Sequence, residues 1–192
     1  MSKEVIEIRW HGRGGQGAKT AALLFGDAAL GEGKYIQAFP EYGPERMGAP
    51  VQSFNRISEQ PITLHTGITN PDIVVVLDIT LLDSVDVTAG LLPGGKIILN
   101  TCESPAHMKQ KLKSKDAKIY TLDANGISRE TIGRVIPNTP MMGALAKAAD
   151  IIDFNKMLAE VEAKLKIKFA KKPEIIAGNI EAIKRAYNEV KA

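Results

Sequence analysis

Six residues near the N-terminus, Gly12-Arg13-Gly14-Gly15-Gln16-Gly17, carry the strongest chemical signal in the sequence. They satisfy G-x-G-x-x-G, and glycines at this spacing serve one physical purpose. Without Cβ atoms the chain turns tightly and its backbone can approach a ligand closely, while the free N–H groups and dipole at the start of a following helix attract an anion. A phosphate is the natural guest. Two nucleotide-site patterns come near. A dinucleotide site also wants an acid at the end of the second strand for the ribose; that strand ends around Gln37 or Phe39, and Glu41 follows Pro40 in the next loop. A P-loop wants its lysine directly after the last glycine, but Ala18 stands before Lys19-Thr20. The inserted residue turns the lysine by about 100° around a helix, away from the position that the Walker geometry needs. The structural alternative is that these glycines only let the first helix lie close to the sheet.

The other chemically capable side chains are scattered. Cys102 is the only cysteine, which excludes an internal disulfide, a thiolate-bound iron–sulfur cluster and a cysteine zinc site. Any electron carrier must therefore sit on another chain. With no base beside it, Cys102 reads as a buried or inert thiol. His11, His65 and His107 lack metal-ligand spacing, so no metal site is expected and His11 reads as a structural histidine. Asp78 closes an apolar run, where it could either border a crevice or cap the next helix. Lys164, Lys166, Lys168, Lys171 and Lys172 form a basic cluster, read as a solvated face, with a ligand's phosphates as the alternative partner.

These residues need elements to hold them. Val5 to Trp10 is a short apolar run, and Ala18 to Leu30 has helix-forming composition with apolar Ala21, Leu24, Phe25 and Ala28. The glycines thus fall between a strand and a helix. Tyr35 to Phe39 predicts a second strand, after which Pro40, Gly43, Pro44, Gly48 and Pro50 prevent regular structure. Val51 to Ile57 and Ile62 to His65, separated by Ser58-Glu59-Gln60-Pro61, predict two strands joined by a turn, an antiparallel element. Ile73 to Leu77 is continuously apolar, as a parallel strand covered on both faces should be. Ile79 to Leu92 reads as partly helical, Lys96 to Leu99 and Lys118 to Leu122 as strands, and Ala106 to Lys113 as a helix. The last third predicts helices at Gly143 to Ala149 and Phe154 to Leu165, then one carrying Ile176, Ile180, Ile183, Tyr187 and Val190, expected to pack on the sheet. The fold class is α/β: a single layered domain over residues 1–192, with a mostly parallel central sheet, an antiparallel insertion near residues 51–65 and C-terminal helices.

Composition narrows the function. The chain of 192 residues is 44% hydrophobic and 24% charged, which is ordinary globular usage. A formal net charge of +3, spread among nearly as many acids, gives no footprint for a nucleic-acid backbone. Neither a signal peptide nor a membrane span is legible, so the expected compartment is the cytoplasm, with no nucleic-acid and no membrane partner.

Arg13 to Gly17 combines with Glu41-Tyr42-Gly43-Pro44-Glu45-Arg46-Met47-Gly48-Ala49-Pro50-Val51, then Pro61-Ile62 and Pro71-Asp72-Ile73-Val74-Val75-Val76-Leu77-Asp78. With Gly94-Gly95, Asn100, Asn138 and Met142-Gly143-Ala144, this pattern resembles the gamma subunit of pyruvate:ferredoxin oxidoreductase and related 2-oxoacid oxidoreductases. The family pattern more often has arginine and glycine where Met47 and Ala49 stand. The resemblance implies a subunit of a complex that oxidatively decarboxylates pyruvate or another 2-oxoacid with coenzyme A, passing electrons to ferredoxin, or runs the reverse synthesis. It also implies alpha and beta subunits holding thiamine diphosphate, and a delta subunit holding iron–sulfur clusters. This chain is then expected to serve assembly and coenzyme A access. Arg13, Gly14, Gly15, Gln16 and Gly17 would form one wall of a coenzyme A or anion site. Glu41, Tyr42, Glu45 and Arg46 would form the neighbouring wall and subunit interface, with Arg46 pairing a carboxylate on the alpha subunit, a coenzyme A phosphate, or internally Glu41 or Glu45. No catalytic residue is expected in this chain. The alternatives are a standalone dinucleotide-binding protein and a ligand-free assembly scaffold.

Overall fold

The structure is a computed structural model that describes residues 5–41 and 47–192. Strands β1 (Val5–Arg13), β2 (Tyr35–Pro40), β3 (Pro50–Ser58), β4 (Ile73–Val76), β5 (Lys96–Asn100) and β6 (Lys118–Leu122) form one sheet in the order β2-β3-β1-β4-β5-β6. Helices α1 (Ala18–Gly31), α2 (Pro105–Lys111), α3 (Ala124–Ile132), α4 (Asn138–Ala149), α5 (Phe154–Lys168) and α6 (Pro173–Glu189) complete it, with a 3-10 turn at Ile79–Asp83.

Strand side chains alternate between faces, and two cores follow. Ile8 and Trp10 of β1, Ile73 and Val75 of β4 and Ile98 of β5 meet α1, α3, α4, α5 and α6 on one face. Val74, Val76, Ile97 and Leu99 point the other way, onto Val87 and onto Met108 of α2. Burial on both faces is why β4 and β5 read as unbroken apolar runs. β1, β4, β5 and β6 are mutually parallel.

The antiparallel element is not the hairpin that the sequence predicts. Ile62 to His65 forms no strand; instead β3 lies between β1 and β2 and runs antiparallel to both. A nine-residue strand can pair along its whole length with β1, Val5 facing Ser58 and Arg13 facing Pro50. Residues 61–65 have only four backbone donors after Pro61 and stay mostly exposed, with Leu64 O accepting from Gln37 Nε2. Three further departures concern helices. α3 lies where no helix is expected, α4 starts at Asn138 instead of Gly143, and only Ile79–Asp83 of the segment before β5 is helical. The last helix packs on helices, with α4 beneath it: an added Cβ at Gly143 would lie 2.3 Å from the Ile183 carbonyl oxygen.

Candidate functional site

The strand order fixes where a site can form. From β1 the chain leaves through α1 towards β2, and from β4 it leaves through the 3-10 turn towards β5 on the other side. The C-terminal ends of β1 and β4 therefore flank a point where the connections diverge, which is where open α/β sheets leave a crevice.

The glycine loop sits on that point. Gly15 and Gly17 have φ of 96° and 84°, a left-handed conformation that glycine adopts without a Cβ clash. Gly17 is further constrained because a Cβ there would lie 2.7 Å from Asn138 Nδ2 at the start of α4. Gly14 N–H donates to Ala49 O and Gly48 N–H donates to Gly14 O, at 2.9 and 3.1 Å. This backbone pairing fastens the loop to the segment entering β3. Because β3 runs antiparallel, its beginning lies beside the end of β1, and so residues 47–53 return to the glycines.

Asp78 ties the two sides of the divergence. Its carboxylate accepts from Gln16 Nε2 at 2.7 Å and lies 3.2 Å from Arg13 Nε. The other carboxylate oxygen accepts from Thr80 N–H and Thr80 Oγ1, capping the 3-10 turn. Arg13 also donates to Thr80 Oγ1 and to Gly48 O, and its own N–H donates to Gln16 Oε1. Partial burial works to raise the Asp78 pKa, but hydrogen bonds from Thr80 and Gln16 and the Arg13 charge outweigh it and hold it below the usual carboxylate value. Arg13 and Gln16 are thus braced from behind. The Asp78-x-Thr80 spacing is the sequence signal of such a cap.

In front of the brace is a cavity of about 400 Å³. Arg13, Gly14, Gly15, Gly17 and Glu41 all line it. Lys19 and Thr20 of α1, with Gln52 and Ser53 of β3, also line it and were not singled out as site residues. Gln16 turns away towards Asp78. Tyr42, Glu45 and Arg46 lie outside the described residues. Glu41 follows β2 directly, where a dinucleotide site would have its ribose acid. However, β3 intervenes between β1 and β2, moving Glu41 one extra strand spacing, about 4.8 Å, from the glycine strand. That works against the dinucleotide geometry.

His11 lies under the loop at 2% exposure. Its Nε2 accepts from Arg9 Nε at 3.0 Å, and Arg9 in turn donates to the Val87 and Ala89 carbonyls. Burial, then the neighbouring Arg9 charge, depresses its pKa from 6.5 to about 4. The neutral imidazole is a structural acceptor. Between those pH values the unfolded chain binds the proton that the folded chain refuses, so stability rises with pH through this window and falls as pH drops from 6.5 to 4. The full effect is on the order of 3 kcal/mol. His11→Gln, which can accept without titrating, is expected to flatten that part of the stability profile in urea titrations at several pH values; an unchanged profile would refute the assignment.

The remaining candidates are less engaged. Of the two alternatives for Cys102, buried or inert, burial does not hold, because the residue is exposed; a hydrogen bond with Asp123 raises its pKa, which favours the unreactive thiol. No helix among the described residues is long and apolar enough to cross a membrane.

An open α/β sheet whose glycine loop borders a crevice at the divergence of its connections defines a class of ligand-binding domain. The sequence pattern of the family described as Pyruvate ferredoxin/flavodoxin oxidoreductase matches residues 7–189, and the chain belongs to that family as a gamma-type subunit. It is 46% identical to the pyruvate/ketoisovalerate oxidoreductases common subunit gamma of Thermococcus kodakarensis, covering 96% of this chain and 97% of that one. The crystal structure of the Thermotoga maritima pyruvate oxidoreductase subunit PORC superimposes with a TM-score of 0.84 at 43% identity, covering 98% of both chains. The same fold occurs within the 2-oxoglutarate:ferredoxin oxidoreductase of Magnetococcus marinus, whose structure has 2-oxoglutarate, coenzyme A and succinyl-CoA bound. There the TM-score is 0.77 at 19% identity, covering 97% of this chain and 31% of that one.

Proposed function

We propose that residues 1–192 act as one gamma-type domain that presents coenzyme A to the reaction centre of a cytoplasmic pyruvate:ferredoxin oxidoreductase. The chemistry is pyruvate, coenzyme A and two oxidised ferredoxins giving acetyl-CoA, carbon dioxide, a proton and two reduced ferredoxins, or its reverse. Alpha and beta subunits hold thiamine diphosphate and a delta subunit holds the iron–sulfur clusters. The observation that carries the reading is the 400 Å³ cavity between the glycine loop and residues 47–53, with Lys19 and Arg13 on its wall. Its volume lies within the range of small-molecule sites. Backbone N–H groups at the start of α1 and the Lys19 ammonium suit a diphosphate, while the Arg13 guanidinium is held in place by Asp78 and Thr80.

The test uses the purified complex. Lys19→Glu is expected to raise KM for coenzyme A about ten-fold, roughly 1.4 kcal/mol of lost binding, with KM for pyruvate unchanged. Arg46→Ala is expected to weaken co-purification with the alpha subunit. Unaltered coenzyme A kinetics in Lys19→Glu would remove the ligand role and leave a scaffold.

A further inference from the structure

Gly15, Gly17 and Thr20 also border a second cleft, of about 510 Å³, between α1 and the neighbouring ends of α4, α5 and α6. Its floor is apolar, formed by Leu24, Ile132, Leu165, Phe169 and Ile175. Its rim is cationic: Arg134, Lys164, Lys168 and Lys172 against the single carboxylate of Glu174. Four cations against one carboxylate leave the rim positive. Lys164 pairs with Asp27, and Lys168 stands 5.6 Å from the centroid of the Phe169 ring. The side chains of Arg134 and Lys172 make no hydrogen bond or ion pair with another described residue.

The helix ends add to this field. α1, α4 and α6 all begin beside the cleft, and none is capped by the side chain of its N-cap residue, although in α4 Asn138 Oδ1 accepts from Thr139 N–H. The other helical starts are capped by Asp78, Ser104, Asp123 and Asp153. The N–H groups left free in these first turns direct partial positive charge at whatever enters. A concave site of this volume, apolar beneath and cationic above, has the build of a small-molecule site and not the flatness of a protein interface.

We propose that this cleft binds a nucleoside phosphate, with phosphates on Arg134, Lys168 and Lys172 and the flat base over the floor beside Phe169. The proposal does not depend on what the first cavity holds. The nucleotide could be the adenosine end of the coenzyme or a free nucleotide, and binding experiments on the full chain and on the complex separate the two. ADP is expected to bind the full chain, and Lys168→Glu with Lys172→Glu to weaken it at least ten-fold. Lys156→Glu, a charge reversal of the same kind at the far end of α5, should leave ADP binding intact. If coenzyme A displaces ADP and the double variant raises KM for coenzyme A in the complex, the nucleotide is the coenzyme's own; if ADP stays bound at saturating coenzyme A, it is a separate ligand. Either outcome supports the site. No ADP binding, or binding indifferent to the double charge reversal, overturns it. Lys19→Glu, the variant that tests the first cavity, is not used, so the two readings fail separately.

Discussion

Replacing Glu7 by alanine is expected to lower the stability of the folded chain by about 3 kcal/mol, although the residue lies far from either cavity. Arg56 sits near the end of β3, directly opposite Glu7 on β1 and Gln37 on β2. Its side chain is 2% exposed. The guanidinium donates to Glu7 Oε1 at 2.8 Å, to Gln37 Oε1 at 3.1 Å and to Gly67 O at 3.2 Å. Removing the only carboxylate in that set strands a buried cation, which costs about 3–5 kcal/mol in fully enclosed pairs; the remaining acceptors place the loss at the lower end. For a chain of this size the midpoint of thermal unfolding should fall by roughly 6–12 °C. Glu7→Gln keeps an acceptor oxygen and should lose less than half as much. A midpoint within 2 °C of the parent for Glu7→Ala would show that Arg56 needs no counter-charge.

Gly143→Ala should be of similar size for a different reason. The added Cβ would lie 2.3 Å from the Ile183 carbonyl oxygen and 3.1 Å from the Ala186 side chain. A backbone oxygen cannot swing aside, so α4 and α6 must separate, and overpacking of this kind costs about 1–3 kcal/mol, occasionally more. Gly31→Ala supplies the comparison. Its Cβ would meet the Glu160 carboxylate at 2.9 Å, a flexible side chain that can move into solvent, so the change should be below about 1 kcal/mol. Urea denaturation of the two variants tests the contrast, and equal losses would contradict the close approach of α4 and α6.

What sequence could reveal depended on how local the determinant was. β4 and β5 were legible because burial on both faces writes a continuous apolar run. The strand–glycine–helix unit was legible because only glycine tolerates the backbone of Gly15 and Gly17. α3 was missed because Asn125, Gly126 and Arg129 dilute its apolar stripe, and its first turn depends on the Asp123 side chain accepting from Gly126 N–H. The first turn of α4 was hidden by Pro140, a residue that breaks helix interiors but is harmless in a first turn. The place of β3 between β1 and β2 is a long-range pairing with no local signature. The same holds for the site. Asp78 could be read as a cap from its neighbours, but its grip on Gln16 and Arg13 spans more than sixty residues. The lysines of α5 read as solvated; only the fold brings Arg134 and the starts of α1, α4 and α6 to the same cleft.

The reversed strand also makes one half of the sheet local in sequence. Every pairing that β1, β2 and β3 make with one another lies within residues 5–58, so one contiguous stretch supplies three of the six strands and all the bonds between them. The other three strands extend the sheet from the opposite flank of β1 in chain order, β4 beside β1 and each later one beside its predecessor, so loop closures across the sheet stay short.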